Sequence, residues 1–445
     1  MKKFIQTIKD IWGIEELRNR IIFTLGLLLI YRFGTYVVLP GIDGADINAQ
    51  SNSGGLLGLL NLFVGGAFDR ASIFALGIMP YISASIAIQL LTLVVPYFQK
   101  MAKEGESGRK AINQLTRYLT VAITLFQASA YVTYLNYTFP NSILINSSLF
   151  WLSTLVVLTS GTMFVMWLGE KITDRGIGNG ISLIITVGIL ARMPGAFFQE
   201  AGSRFNKTGG PIVFLIEIAV LIAVILAIIL LVQGTRRIPI QYAKRIVGNK
   251  QFMGARQFLP IKINSAGVMP IIFAQALMFL PSLLGQAFPD ASWAQSLTNG
   301  NYVFSFGYNI VFFFLIIIFC YFYTAMIINP MQISDDLKRN GGFIPGIKPG
   351  TKTAEFIDAV ISRITLPGAI FLGIVAVFPT FASAAGVTQN FANFFGGTSI
   401  LIMVGTVLDT LQQIENELLT RHYDGLMKTG RIKGRQVAPV SIAQG

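Results

Sequence analysis

A chain of 445 residues could hold two or three soluble domains. Its 53% apolar and 12% charged residues exclude that reading, because soluble domains carry about a quarter charged residues. At a mean hydropathy of +0.63, lipid must be the solvent for much of the surface; the single cysteine, Cys320, excludes a disulfide framework or a cysteine metal site.

The first twenty residues mix Lys2, Lys3, Lys9, Arg18 and Arg20 with Asp10, Glu15 and Glu16. No short cleavable apolar core stands among them, so no signal peptide is predicted and the first span serves as the targeting signal. A hydrocarbon core of ~30 Å needs about 20 apolar residues as helix. Such runs are predicted near 21–40, 72–95, 115–136, 149–169, 179–197, 211–233, 266–288, 304–329, 361–383 and 396–419. The fifth is short and Gly-rich, and the tenth turns amphipathic after Asp409.

Between the first two runs, Leu56 to Val64 is apolar and flanked by Gly54-Gly55 and Gly65-Gly66. It is too short to cross a bilayer and too apolar for an exposed loop. Two readings stand: a hairpin at the outer interface, or a short helix folded back into the protein between Gly hinges. Backbone at membrane depth is tolerated only when it is buried in protein or lines a cavity, which makes the second reading a candidate gate.

The net charge of +13 is explained by placement. Of 34 Lys and Arg, 29 fall in the N-terminal segment, the loops after the second, fourth, sixth and eighth runs, and the tail. On the other side stand only Arg32, Arg70, Arg192, Arg204 and Lys207. The positive-inside rule then puts both ends in the cytoplasm. The loop after the sixth run holds Arg236, Arg237, Lys244, Arg245, Lys250, Arg256 and Lys262 without one acid, more than topology requires.

The span centres are nearly bare of charge, whereas ion-driven transporters place ionisable groups there. Glu217 and Arg32 lie near span ends and are expected to snorkel. Gln89, Thr92, Gln127 and Gln275 read as interhelical hydrogen-bonding residues. The only histidine, His422, lies in the tail, so no metal or acid–base cluster is predicted. GIKPGTKT (346–353) lacks phosphate-loop spacing, and GIGNG (176–180) follows a span rather than a strand. Neither an enzyme nor a cofactor is expected; an ion-coupled transporter of small solutes is the alternative to a channel, and a membrane-bound transferase or protease lacks its catalytic constellation.

Long motifs then carry a resemblance. NLFVGGAFDRASIFALGIMPYISASIAIQLL (61–91), KEGESGRKAINQLTRY (103–118), GTMFVMWLGEKITDRGIGNGISLII (161–185), QYAKR (241–245), NSAGVMPIIFA (264–274), NPMQISDDLKRNGGFIPGIKPG (329–350) and FGGTSILI (395–402) follow one another in order. Together they resemble the SecY/Sec61-alpha family of protein-conducting channel subunits. The resemblance implies an all-α membrane protein of ten transmembrane helices in two inverted five-helix halves around a central pore. Residues 1–20 would be a cytoplasmic segment, 21–200 and 201–420 the halves, and 421–445 a cytoplasmic tail. Half-helix 54–68 would be a plug, with Leu56, Leu57, Leu59, Leu60, Asn61, Leu62 and Phe63 its body.

The same resemblance assigns a pore ring to Ile78, Ile82, Ile181, Ile185, Ile272 and Ile402, each of which would otherwise read as packed or lipid-facing. It puts a lateral gate between spans two and three and spans seven and eight, with Gln89, Thr92, Gln127 and Asn264 as a polar cluster there. Loops 234–265 and 332–360 become docking loops for the ribosome and the SecA motor ATPase. Arg236, Arg237, Lys244, Arg245, Lys338, Arg339 and Lys348 would contact partners such as ribosomal RNA phosphates. Lys348 stands where the family usually has arginine and lacks its planar fork. The implied partners are SecE and SecG subunits, secretory and membrane polypeptides, and lipid of the bacterial inner membrane.

Overall fold

The computed structural model describes residues 12–43, 61–139, 142–206, 210–242, 245–247, 250–252, 256–275, 277–278 and 305–428. Its first part is helical: α1 (Glu15–Gly34), α2 (Met79–Val94), α3 (Pro96–Lys103), α4 (Glu106–Thr138), α5 (Ser147–Arg175), α6 (Gly180–Asn206) and α7 (Gly210–Gln233). Strands β1 (Thr235–Tyr242), β2 (Arg245–Val247), β3 (Lys250–Phe252) and β4 (Arg256–Lys262) follow. After helical residues 269–275 come α8 (Phe306–Ile327), α9 (Pro330–Arg339), β5 (Gly342–Phe343), α10 (Thr351–Ala384), α11 (Gln389–Ala392) and α12 (Gly397–Lys428).

Helices α4, α5, α6, α7, α8 and α10 are long and apolar enough to cross a membrane, and the bent pair α2–α3 makes a possible seventh span. The chain is a multi-pass membrane protein. Helix α1 is interrupted by Arg18, Arg20 and Arg32, and α12 by Asp409, Glu415 and Glu417, which lowers their hydropathy below that of the others. Of the predicted seventh span, the part beyond 278 lies outside the described residues.

Two boundaries differ from expectation. Helix α2 starts at Met79, not 72, because 71–73 pairs through its backbone with 37–39, just past the end of α1: Ile73 N donates to Val37 O at 2.9 Å and Leu39 N to Ala71 O at 2.8 Å. Helices α4 and α10 run for 33 and 34 residues, well beyond the span predicted from apolarity alone. Their extra turns are polar, led by Glu106, Arg109 and Lys110 in one and Lys352, Glu355 and Asp358 in the other.

The basic segments expected as loops are folded, and the all-helical expectation is corrected there. Strand β1 pairs antiparallel with β4 and with β5, giving the order β4-β1-β5. Alternation along β1 turns Ile238 and Ile240 inward. They meet Ile261, Leu337, Ile344, Ile357 and Ile361, so the two basic segments share one small core. That core burial holds a sheet in place without a helical repeat.

In the membrane part α6 is central, packing on α1, α5, α7 and α12. One contiguous apolar cluster runs from α1 to α12. The outward faces stay apolar too: Ile212, Leu215, Ile216, Leu226 and Leu230 of α7 are all exposed, as a lipid solvent requires.

Candidate functional site

The six isoleucines lie on four separate elements. Ile78 caps the start of α2 and Ile82 is one turn on; Ile181 and Ile185 occupy the first turns of α6; Ile272 sits in 269–275 and Ile402 in α12. All six belong to the same contiguous apolar cluster. Ile78, Ile185 and Ile402 are buried, and the other three are half-buried. Gly169 of α5 marks their approach: a Cβ there would lie 3.3 Å from Ile181 Cγ1 and 3.5 Å from Ile78 Cδ1. Branched aliphatic side chains packed this way exclude water and offer no directional bond.

Leu62 and Phe63 belong to that same cluster. Leu56, Leu57, Leu59 and Leu60 lie outside the described residues. The described end of the segment is helical at 61–63 and turns at Gly65 and Gly66, with φ of +69° and +87°, a region that glycine enters without steric penalty. Asn61, Leu62, Phe63 and Val64 are all buried. The interfacial-hairpin reading therefore fails for 61–64: these residues are enclosed by protein. Gly188 of α6 permits the approach, since a Cβ there would stand 2.3 Å from Phe63 O.

Arg32 and Glu217 depart from the snorkelling expectation. Arg32 is half-buried, and its Nη1 donates to Gly65 O at 3.0 Å, so it braces the glycine turn. Glu217 falls on the buried stripe of α7 with Phe214, Leu221 and Ile228, a helical spacing that faces it into the protein. There Arg204 Nη2 donates to Glu217 Oε1 at 2.5 Å, and Arg204 Nε to Glu200 Oε1 at 2.9 Å. Glu200 and Arg204 were not singled out as a site in the sequence; their i, i+4 spacing at the end of α6 was the available signal.

Hydrogen bonds join the early and late helices along α6, α1 and α12. At the basic end, Arg20 Nη1 donates to Glu417 Oε1 at 2.6 Å and Gly178 N to Gln413 Oε1 at 2.9 Å. At the opposite end, Arg204 Nη2 donates to Gly386 O at 2.8 Å, Thr388 N to Glu200 Oε2 at 2.9 Å and Asn390 Nδ2 to Gln199 Oε1 at 2.9 Å. The GIGNG turn thus proves to be a joint: Thr24 of α1 and Gln413 of α12 accept from successive amides of it.

The facing seam is apolar. Phe273 packs on Phe319 and Tyr323 with ring centroids 5.8 and 5.5 Å apart, and Ile86 of α2 packs against this group. Gln89 Nε2 donates to Ser85 Oγ at 3.3 Å while its Oε1 is buried without a partner. Thr92 Oγ1 donates to Gln89 O at 2.7 Å, Asn264 Nδ2 to Gly267 O at 3.0 Å, and Gln127 is half-buried on α4. Among the described residues no side-chain to side-chain hydrogen bond links these four.

Arg236, Arg237, Lys338, Arg339 and Lys348 are exposed on the small sheet unit. Lys348 lies in a turn held by Thr353 Oγ1, which donates to its carbonyl at 3.0 Å, and by Ser334 Oγ donating to Gly350 O at 2.7 Å. Lys244 and the side chain of Arg245 lie outside the described residues.

Comparison with known proteins gives one consistent result. A family model described as SecY matches residues 72–411. The protein translocase subunit SecY of Streptomyces scabiei is 44% identical over 431 residues, covering 93% of this chain and 97% of the relative. A solved protein-conducting channel superposes with a TM-score of 0.66 at 18% identity, covering 92% of this chain and 94% of its own. Sec61 from a canine ribosome–channel complex of the endoplasmic reticulum gives 0.62 at 18% identity, with the same coverage.

Proposed function

We infer how this chain works from the SecY family, to which it belongs. It is a subunit of a protein translocase and forms a protein-conducting channel, through which unfolded polypeptides cross a membrane and apolar segments leave sideways into lipid. The small-solute transporter reading is set aside. Its relatives are translocase subunits, and the buried charges Glu200, Arg204 and Glu217 are engaged with one another and with loop 386–388.

Ile78, Ile82, Ile181, Ile185, Ile272 and Ile402 form the constriction, and the segment from 54 to 68 is the plug that fills it from one side. The single observation carrying this is the apolar cluster that holds all six isoleucines together with Leu62 and Phe63. Such a ring resists ions by dewetting. It yields around a passing chain because no hydrogen bond has to break.

Ten spans in two inverted halves clasp this ring. The expected division at 200/201 would cut α6, which runs on to Asn206, so the halves divide after that helix instead. The halves part at the apolar seam of Ile86, Phe273, Phe319 and Tyr323, the side where Gln89, Thr92, Gln127 and Asn264 stand. Support comes from the contrast with the α6–α12 side, which is hydrogen-bonded at both ends.

The small sheet unit and both termini face the cytoplasm, a reading that the charge asymmetry supports, and the spans lie in a bacterial inner membrane, a reading that the bacterial relatives support. Arg236, Arg237, Lys244, Arg245, Lys338, Arg339 and Lys348 dock the ribosome, through RNA phosphates, or the SecA motor, which supplies the driving force. SecE and SecG complete the channel. A stalled secretory polypeptide should crosslink to cysteines placed at Ile82 or Ile272 in the reconstituted complex; absence of crosslinks at both would overturn the pore assignment.

A further inference from the structure

We propose that Asn61 and Asp69, with Arg192 as countercharge, form the latch that keeps the plug seated, an inference that rests on reading residues 54–68 as a plug. Leu62 and Phe63 share one apolar body with the ring isoleucines. A translocating chain cannot pass until they leave. What ties them down is polar and lies on either side of the two glycines.

Asn61 Nδ2 donates to Asp69 Oδ2, and the Asp69 amide donates back to Asn61 Oδ1 at 3.2 Å. The pair closes residues 61–69 into a ring of its own around Gly65 and Gly66. Asn61 is wholly buried, so its amide has no water to turn to when this bond is lost. Asp69 stands just past the C-terminal end of the plug, where the chain is tied to α4. Tyr131 Oη of α4 donates to the neighbouring Phe68 O at 2.7 Å, and Ser72 N to Ala67 O at 3.0 Å.

Arg192 explains how a carboxylate is kept there. The Asp69 side chain is only 12% exposed, and Arg192 Nη2 of α6 stands 3.7 Å from Asp69 Oδ2. That separation is long for a tight bidentate pair. The guanidinium therefore stands as a countercharge beside Asp69, and Asn61 supplies the hydrogen bond. Arg32 of α1 adds a separate brace through Gly65 O. The plug base is thus held from α1 and α6, and the Asn61–Asp69 contact is the joint that must open.

The test is the resting ion conductance of the reconstituted translocase complex, with deletion of residues 57–65 as the unplugged reference. Asp69→Ala is expected to raise resting conductance at least about tenfold toward the deletion, the factor that loss of one hydrogen bond to a charged group implies for the open population. Arg192→Gln should raise it less, and adding it to Asp69→Ala should add little. Polypeptide translocation must persist in Asp69→Ala, which separates an unlatched channel from a misfolded one. If Asp69→Ala does not fold, Asn61→Leu removes the same bonds from the other side and is read in the same way. A sealed Asp69→Ala channel beside a leaking deletion overturns the latch and spares the plug; a deletion that does not leak overturns both.

Discussion

The amide of Thr388 donates to the carboxylate of Glu200 at 2.9 Å, across 188 residues of sequence. Thr388 Oγ1 donates to the same oxygen. A loop without any charge is thereby fastened to a fully buried acid on another helix, and Arg204 reaches the same loop through Gly386 O. This is the structural opposite of the apolar seam at Phe273 and Ile86. One side of the molecule is bonded by groups that are costly to separate in lipid; at the other, Phe273, Phe319, Tyr323 and Ile86 meet through apolar contacts.

Replacing Arg204 by Met should destabilise the fold by roughly 3–5 kcal/mol, because it leaves Glu200 and Glu217 buried without their countercharge. Thermal unfolding of the purified protein in detergent measures this. Adding Glu200→Gln and Glu217→Gln to Arg204→Met should recover much of the loss. No recovery would mean that packing of the arginine stem, not charge balance, carries the effect.

Gly188→Ala should leave α6 intact and disturb the plug. Alanine favours a helix over glycine by about 1 kcal/mol, but its Cβ would stand 2.3 Å from Phe63 O. The backbone clash outweighs that gain, so the expected result is a lower melting temperature together with a raised resting ion leak. A sealed channel would show that the plug backbone can retreat from α6 and still close the pore.

Ile402 offers a test of the ring by polarity rather than size. Ile402→Leu keeps an apolar side chain of equal volume, costs less than about 1.5 kcal/mol, and should leave the resting channel tight. Ile402→Asn introduces hydrogen bonding and should wet the constriction, raising ion conductance. Equal conductance in the two variants, both correctly inserted, would show that Ile402 does not line the barrier.

Arg236→Glu and Arg237→Glu should weaken ribosome binding to the reconstituted channel. Both side chains are exposed on β1, clear of the Ile238–Ile240 core, so folding should be spared. For each phosphate contact removed, the plot of log affinity against log salt should become shallower by about one. An unchanged slope would move the electrostatic contact to other basic residues of the sheet unit.

Apolarity alone made lipid legible as the solvent, and with it the six spans α4, α5, α6, α7, α8 and α10. A run of apolar residues reads as membrane helix locally, since the bilayer demands a fixed length of apolar chain whatever surrounds it. Glycines at 65, 66 and 188 and isoleucines at 78, 185 and 402 were all visible as residues. Family resemblance, not periodicity, made a ring of the isoleucines. Which side chains share a neighbourhood came only with the folded chain: the six isoleucines come from α2, α6, 269–275 and α12, and no local pattern records their meeting. It also turned Glu217 inward, because its place on the Phe214–Leu221–Ile228 stripe brings it to Arg204. The sheet at 235–262 formed where only a basic loop was expected, since its buried alternation spans just Ile238 and Ile240 and depends on a core supplied by residues a hundred positions away. Local sequence sets what each segment can be in lipid or water; burial against distant segments sets what each charge and each isoleucine does.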